Sequence, residues 1–158
     1  MTEPTRERAV GVPADWLARL DALGTLGFLV VTVVAAVVDA DGAALANLVV
    51  CAALFVVGSA IWAWGFVLAA ARSREAVIDL AGLFYLTGSA PRSVRRYFLG
   101  LWFLQIAIAV AAIPVTSPPF GVMVPVFGIG IITLWAAGRG TFPERPPEPG
   151  PRGRRSAP

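Results

Sequence analysis

The chain has 158 residues, 57% of them hydrophobic, with a mean hydropathy of +0.73 and a formal charge of +3. Only 15% of the residues are charged, against about 25% in an ordinary soluble domain. With no His and one Cys, Cys51, the composition excludes a disulfide framework or a Cys/His metal site within one chain.

Residues 1–21 mix both signs of charge and cannot span a membrane. Within them, Pro13–Asp21 reads as a short helix on the membrane surface, with Trp16, Leu17 and Leu20 on one side. Residues 22–38 form the first uncharged run, at the lower length limit for a span. Its end, Val38-Asp39-Ala40, resembles a signal cleavage site. The long mixed-charge stretch before it and the length of the run point instead to a retained span.

An acidic turn at 39–42 leads to a second run over 43–71, longer than a bilayer requires and so expected to tilt. Residues 72–96 are a polar connection with an apolar insert. A third span follows over 97–115, a turn at 116–119, and a fourth span over 120–138. Pro125, inside that last run, is expected to bend the helix or free a carbonyl. The Pro/Gly/Arg-rich tail 139–158 is expected to be disordered. The fold class that follows is all-α: an integral membrane four-helix bundle with a short interfacial helix between spans 2 and 3.

Every basic residue is Arg, and position matters more than number. Arg6, Arg8 and Arg19 precede the first span; Arg72, Arg74, Arg92, Arg95 and Arg96 occupy the middle connection; Arg139, Arg145, Arg152, Arg154 and Arg155 follow the fourth. The turns at 39–42 and 116–119 carry none. Basic residues are held on the cytoplasmic side, so the expected topology is multi-pass in the cell membrane with both termini cytoplasmic. Trp102 and Trp135 then fall near inner span ends as interface anchors, while Trp62 and Trp64 lie deeper.

The four runs contain no Asp, Glu, Arg, Lys or His, the residue types that usually mark ion paths and proton relays in membranes. Weakly polar and small residues remain. Asn47, Cys51, Gly58, Trp62, Gly65 and Ala69 share one broad face of the second span. The pairs Gly65/Ala69 and Ala107/Ala111 have the small-xxx-small spacing that brings helices together. Gln105 lies nine residues after Arg96, roughly 13 Å along a helix axis and so near mid-membrane. An amide there needs a partner, with Ser59 or Thr32 at suitable depth. It serves either as interhelical glue or, with Asn47, as a pore-lining group.

In the connection, Glu75–Thr87 is too short to span and reads as an interfacial helix with Val77, Leu80, Ala81 and Phe84 on one side. Gly88 would end it, and Ser89 before Pro91 would begin the third membrane helix. Arg92, Arg95 and Arg96 then sit on its first turns at headgroup height. They act as plain positive-inside anchors or as a contact for anionic lipid or a partner. Asp79, Glu75 and Tyr85 have no spacing that recommends catalysis.

The stretches LTGSAPRSVRRYFLGLW (86–102) and FGVMVPVFGIGIITLWAAGRGTFPER (120–145) resemble small uncharacterised four-span membrane proteins of high-GC Gram-positive (actinobacterial) bacteria. The likeness covers roughly residues 80–145; it implies a topology and carries over no catalytic residue. The expectation is a non-catalytic accessory or scaffold component of the cell envelope or lipid-handling machinery. No cofactor, metal or nucleic acid is expected; the partners would be membrane lipids and another protein or a second copy. The alternative is a homo-oligomeric channel or carrier for an uncharged or lipid-like solute.

Overall fold

The computed structural model describes residues 16–146 except Asp39 and Ser117. Among the described residues there are five α-helices: α1 (Trp16–Val37), α2 (Asp41–Arg72), α3 (Leu80–Tyr85), α4 (Arg92–Ala112) and α5 (Pro125–Arg139). A 3-10 turn, Phe120–Met123, leads into α5. Helices α1, α2 and α4, and the turn continued by α5, are long and apolar enough to cross a membrane.

α5 is the interior helix. It packs along α2 and also touches α1, α3 and α4, while α1 bridges α2 and α4. Its buried residues include Phe127, Ile131, Ile132, Trp135 and Ala136. α2 is built the other way round. It buries only Asn47, Cys51, Gly58, Gly65 and Ala69, and turns Val49, Val56, Trp64, Phe66 and Val67 outward. Large outward side chains suit a lipid environment, where helix association depends on close backbone approach.

That approach has an atomic limit at the α2–α5 seam. A Cβ on Gly58 would lie 2.4 Å from the Phe127 Cα, and one on Gly65 2.8 Å from the Leu134 backbone N. From the other side, a Cβ on Gly130 would strike the Gly58 carbonyl oxygen at 2.4 Å. Ala69 is buried on the same helix as Gly65. Ala107 and Ala111 are exposed on α4, so they take no part in packing within the bundle and leave only a contact between copies for their spacing. The buried stripe of α4 is Val94, Phe98, Gln105, Ala109 and Ala112, and the helical period turns positions 107 and 111 away from it.

The first span begins at Trp16, not Ala22. There is no separate surface helix over the described part of 13–21: Leu17 and Ala18 are already buried against the bundle, and Asp21 is inside it. Pro125 does not bend a continuous helix. It stands at the first position of α5, after the 3-10 turn, where its missing N–H costs nothing.

The connection is also rearranged. The interfacial helix shrinks to six residues, with the Asp79 Oδ2 capping its start by accepting from the Gly82 N–H at 2.9 Å. Its inward side is Gly82 and Leu83, with Leu86 after it, while Val77, Leu80 and Ala81 are exposed. Leu86 (φ 55°) and Gly88 (φ 75°) turn the chain. Ser89 does not start α4; Pro91 holds that position, and the Ser89 hydroxyl donates back to the Gly82 carbonyl at 2.6 Å.

The tail is ordered as far as the described residues reach. Thr141 N–H donates to the Ser89 carbonyl (2.9 Å), Val77 N–H to that of Pro143 (2.8 Å) and Arg145 N–H to that of Glu75 (2.8 Å). Ala76 and Glu144 thereby form an isolated antiparallel bridge. Arg72 fastens this strap: its guanidinium donates to the carbonyls of Ala137 (2.8 Å) and Gly140 (2.9 Å) and lies 5.7 Å from the Phe142 ring centroid. The expected disorder of 147–158 concerns positions outside the described residues.

Candidate functional site

Three places gather polar groups. The deepest is centred on Gln105, whose side chain is fully buried. Its Nε2 donates to the Asp21 Oδ1 at 3.0 Å and to the Thr25 Oγ1 at 2.8 Å. Its Oε1 accepts from the Gly128 N–H at 3.2 Å. One amide therefore joins α1, α4 and α5. Thr25 in turn donates to the Asp21 carbonyl at 2.8 Å, which holds its hydroxyl oxygen toward the amide.

The backbone makes this possible at Gly128. A Cβ there would lie 2.6 Å from the Gln105 Oε1, so a larger residue would push the amide out. One turn before Gln105, the Trp102 indole N–H donates to the Pro125 carbonyl at 3.1 Å. Near the mouth of α1, the Tyr97 hydroxyl donates to the Ala18 carbonyl at 3.1 Å. The α1–α4–α5 contact is thus laced by three side chains of α4.

Gln105 does not meet the partners expected for it. Ser59 is half-buried and takes no part, and Thr32 instead donates to the Asn47 Oδ1 at 3.4 Å. The residue that the sequence reading leaves at the membrane surface, at the end of the segment 13–21, is Asp21, and the structure buries it inside α1. Its Oδ2 is buried without a hydrogen-bond partner among the described residues. A signal was present in the spacing: Leu17, Ala18, Asp21, Thr25, Phe28 and Thr32 are the buried residues of α1, and from Ala18 onward they recur at steps of three and four. Reading Asp21 as part of that stripe puts it in the bundle. Gly128 as the third member had no sequence signal beyond being a glycine in a span.

The second place is a cavity of about 510 Å³ at the end of the bundle opposite the arginines. Its walls include Val38, Leu45 and Phe120, with Asp41, Asn47 and Thr116 as polar lining. Asn47 is buried, and its Oδ1 also lies 3.5 Å from the Cys51 Sγ. A volume of this order suits a small ligand.

The third place is the start of α4. Arg92, Arg95, Arg96 and Leu99 line an open groove of about 460 Å³. The three arginines are exposed and make no ion pair among the described residues.

Fold and sites together define a multi-pass, all-α membrane protein. No family model matches the chain, and neither a curated protein nor a solved structure matches it.

Proposed function

We propose that the chain is a non-catalytic accessory or scaffold component of the cell envelope or lipid-handling machinery. It would sit in the plasma membrane with both termini cytoplasmic and pack against a larger protein or a second copy. The arginine distribution supports that orientation, because all described arginines lie at one end of the bundle.

One observation carries the scaffold reading. The polar side chains deepest in the spans are spent on one another: Gln105 on Asp21, Thr25 and Gly128, and Thr32 on Asn47. Such bonds lock helices in a fixed register. A conducting path needs polar groups that face a passage, and Gln105 is closed off from one. The test is purification in gentle detergent followed by native mass spectrometry and solute flux in liposomes. A bundle that conducts nothing and retains one protein at fixed stoichiometry supports the scaffold.

The cavity favours a second reading, a carrier for an uncharged or lipid-like solute admitted at the Asn47 end. Flux that an Asn47→Leu substitution abolishes would replace the scaffold reading with this one.

A further inference from the structure

The face of α4 that looks away from the bundle is organised in two zones. Arg92, Arg95, Arg96 and Leu99 follow one another at steps of three, one and three, so they share one side of the helix. The same side continues through Phe103 and Val110, which are 58% and 59% exposed. The buried stripe of α4, from Val94 through Phe98 and Gln105 to Ala112, lies on the opposite side.

The two zones have the dimensions of one membrane lipid. Leu99 to Val110 covers roughly 16 Å of helix axis at 1.5 Å per residue, about half the thickness of the bilayer's hydrocarbon. Beyond Leu99, the three guanidiniums stand where a headgroup would lie. They are exposed and free of ion pairs among the described residues. Arg72 makes the contrast: it is consumed by the carbonyls of Ala137 and Gly140. Guanidinium forks match phosphate oxygens with paired hydrogen bonds. The open groove between them leaves room for that group.

We propose that α4 holds an anionic phospholipid, its phosphate headgroup on Arg92, Arg95 and Arg96 and an acyl chain along Leu99, Phe103 and Val110. The proposal rests only on the membrane-embedded reading. A carrier without any protein partner would bind the lipid equally well, so the scaffold reading can fail while this one stands.

Charge at the membrane surface attracts anionic lipid wherever it sits, so the test must separate a site from a general field. The full chain is placed in nanodiscs of equal parts phosphatidylglycerol and phosphatidylcholine, and the lipid retained on gentle release is counted by native mass spectrometry. The wild type is expected to keep phosphatidylglycerol over phosphatidylcholine by about tenfold. The variant R92Q/R95Q/R96Q should lose that preference. The charge-matched variant R19Q/R74Q/R145Q, altered at exposed arginines elsewhere, should keep it.

Three results overturn the proposal. One is a wild type with no preference, which needs no variant to fold. Another is equal loss in the two triple variants, which reduces the effect to net charge. The last is displacement of the lipid by millimolar inorganic phosphate, which would make the groove a site for the soluble anion.

Discussion

Gln105 on α4 donates to Asp21 on α1 across a sequence separation of 84 residues, at 3.0 Å and with both side chains fully buried. The bond ties the first membrane helix to the third, while the other end of the same amide reaches α5 through Gly128. Neither residue is replaceable by an apolar one without leaving the other's polar atoms uncompensated.

Gln105→Leu is therefore expected to destabilise the bundle by on the order of 2 kcal/mol. Hydrogen bonds between membrane helices contribute only about 0.6 kcal/mol each; the larger part comes from polar groups left buried and unpaired, at roughly 1–3 kcal/mol. Asp21→Leu should also destabilise. The double variant should cost less than the two single changes added, since each already strands its partner. Reversible unfolding in mixed micelles measures all three, and strict additivity would show that the bond does not couple the helices.

The α2–α5 seam gives a sharper contrast. Gly58→Ala puts a methyl group against the Phe127 backbone, which has no rotamer by which to yield, so a loss of roughly 1–3 kcal/mol is expected. Gly100→Ala on α4 meets nothing within 4 Å. There the better helix propensity of Ala should leave stability unchanged or raise it by about 0.5–1 kcal/mol. Thermal melts of the two variants should move in opposite directions or, at least, only the first should fall.

These two cases mark how far the residues spoke for the fold. The glycines of α2 announced themselves, because small residues at helical spacing in an apolar run have one common use. Gln105 announced itself too, as an amide in hydrocarbon. Its partner did not, because Asp21 lies two residues beyond Arg19, and a charged pair at a run's edge looks like a leader. The two are separated by orientation alone: Arg19 is exposed and Asp21 buried. Periodicity traced through the edge distinguishes them, whereas a count of uncharged residues stops short. Ala107 and Ala111 make the related point that spacing shows a shared face without showing which way it points, and theirs points out of the bundle. The strap over 141–145 was hidden by composition: Pro and Arg suggested disorder, but backbone groups at 75–77 and 89 were waiting for partners.

Arg72 should act locally. Replacing it with Gln removes the charged fork on the Ala137 and Gly140 carbonyls and the contact with Phe142. Charge-assisted bonds of this kind contribute about 1.5–3 kcal/mol when buried, and less here because the group is partly exposed. Hydrogen exchange at Thr141, Val77 and Arg145, whose N–H groups hold the strap, is expected to accelerate by about tenfold. Exchange in the α2–α5 seam should stay unchanged. Acceleration throughout the bundle would show that Arg72 supports the whole fold.

Orientation can be read with single cysteines, because the native Cys51 is fully buried and should stay silent toward a membrane-impermeant thiol reagent. Gly42 is exposed at the start of α2, and a side chain added there meets nothing within 4 Å. Ser93 is exposed on the first turn of α4, among the arginines. With the arginines cytoplasmic, Gly42→Cys is expected to react on intact cells and Ser93→Cys only after the membrane is opened. The opposite pattern would invert the topology and place the Arg92–Arg96 groove in the outer leaflet. Labelling of both from outside would mean a mixed orientation. That result would break the link between the arginines and a single side of the membrane, since one Arg-rich end cannot be retained on both.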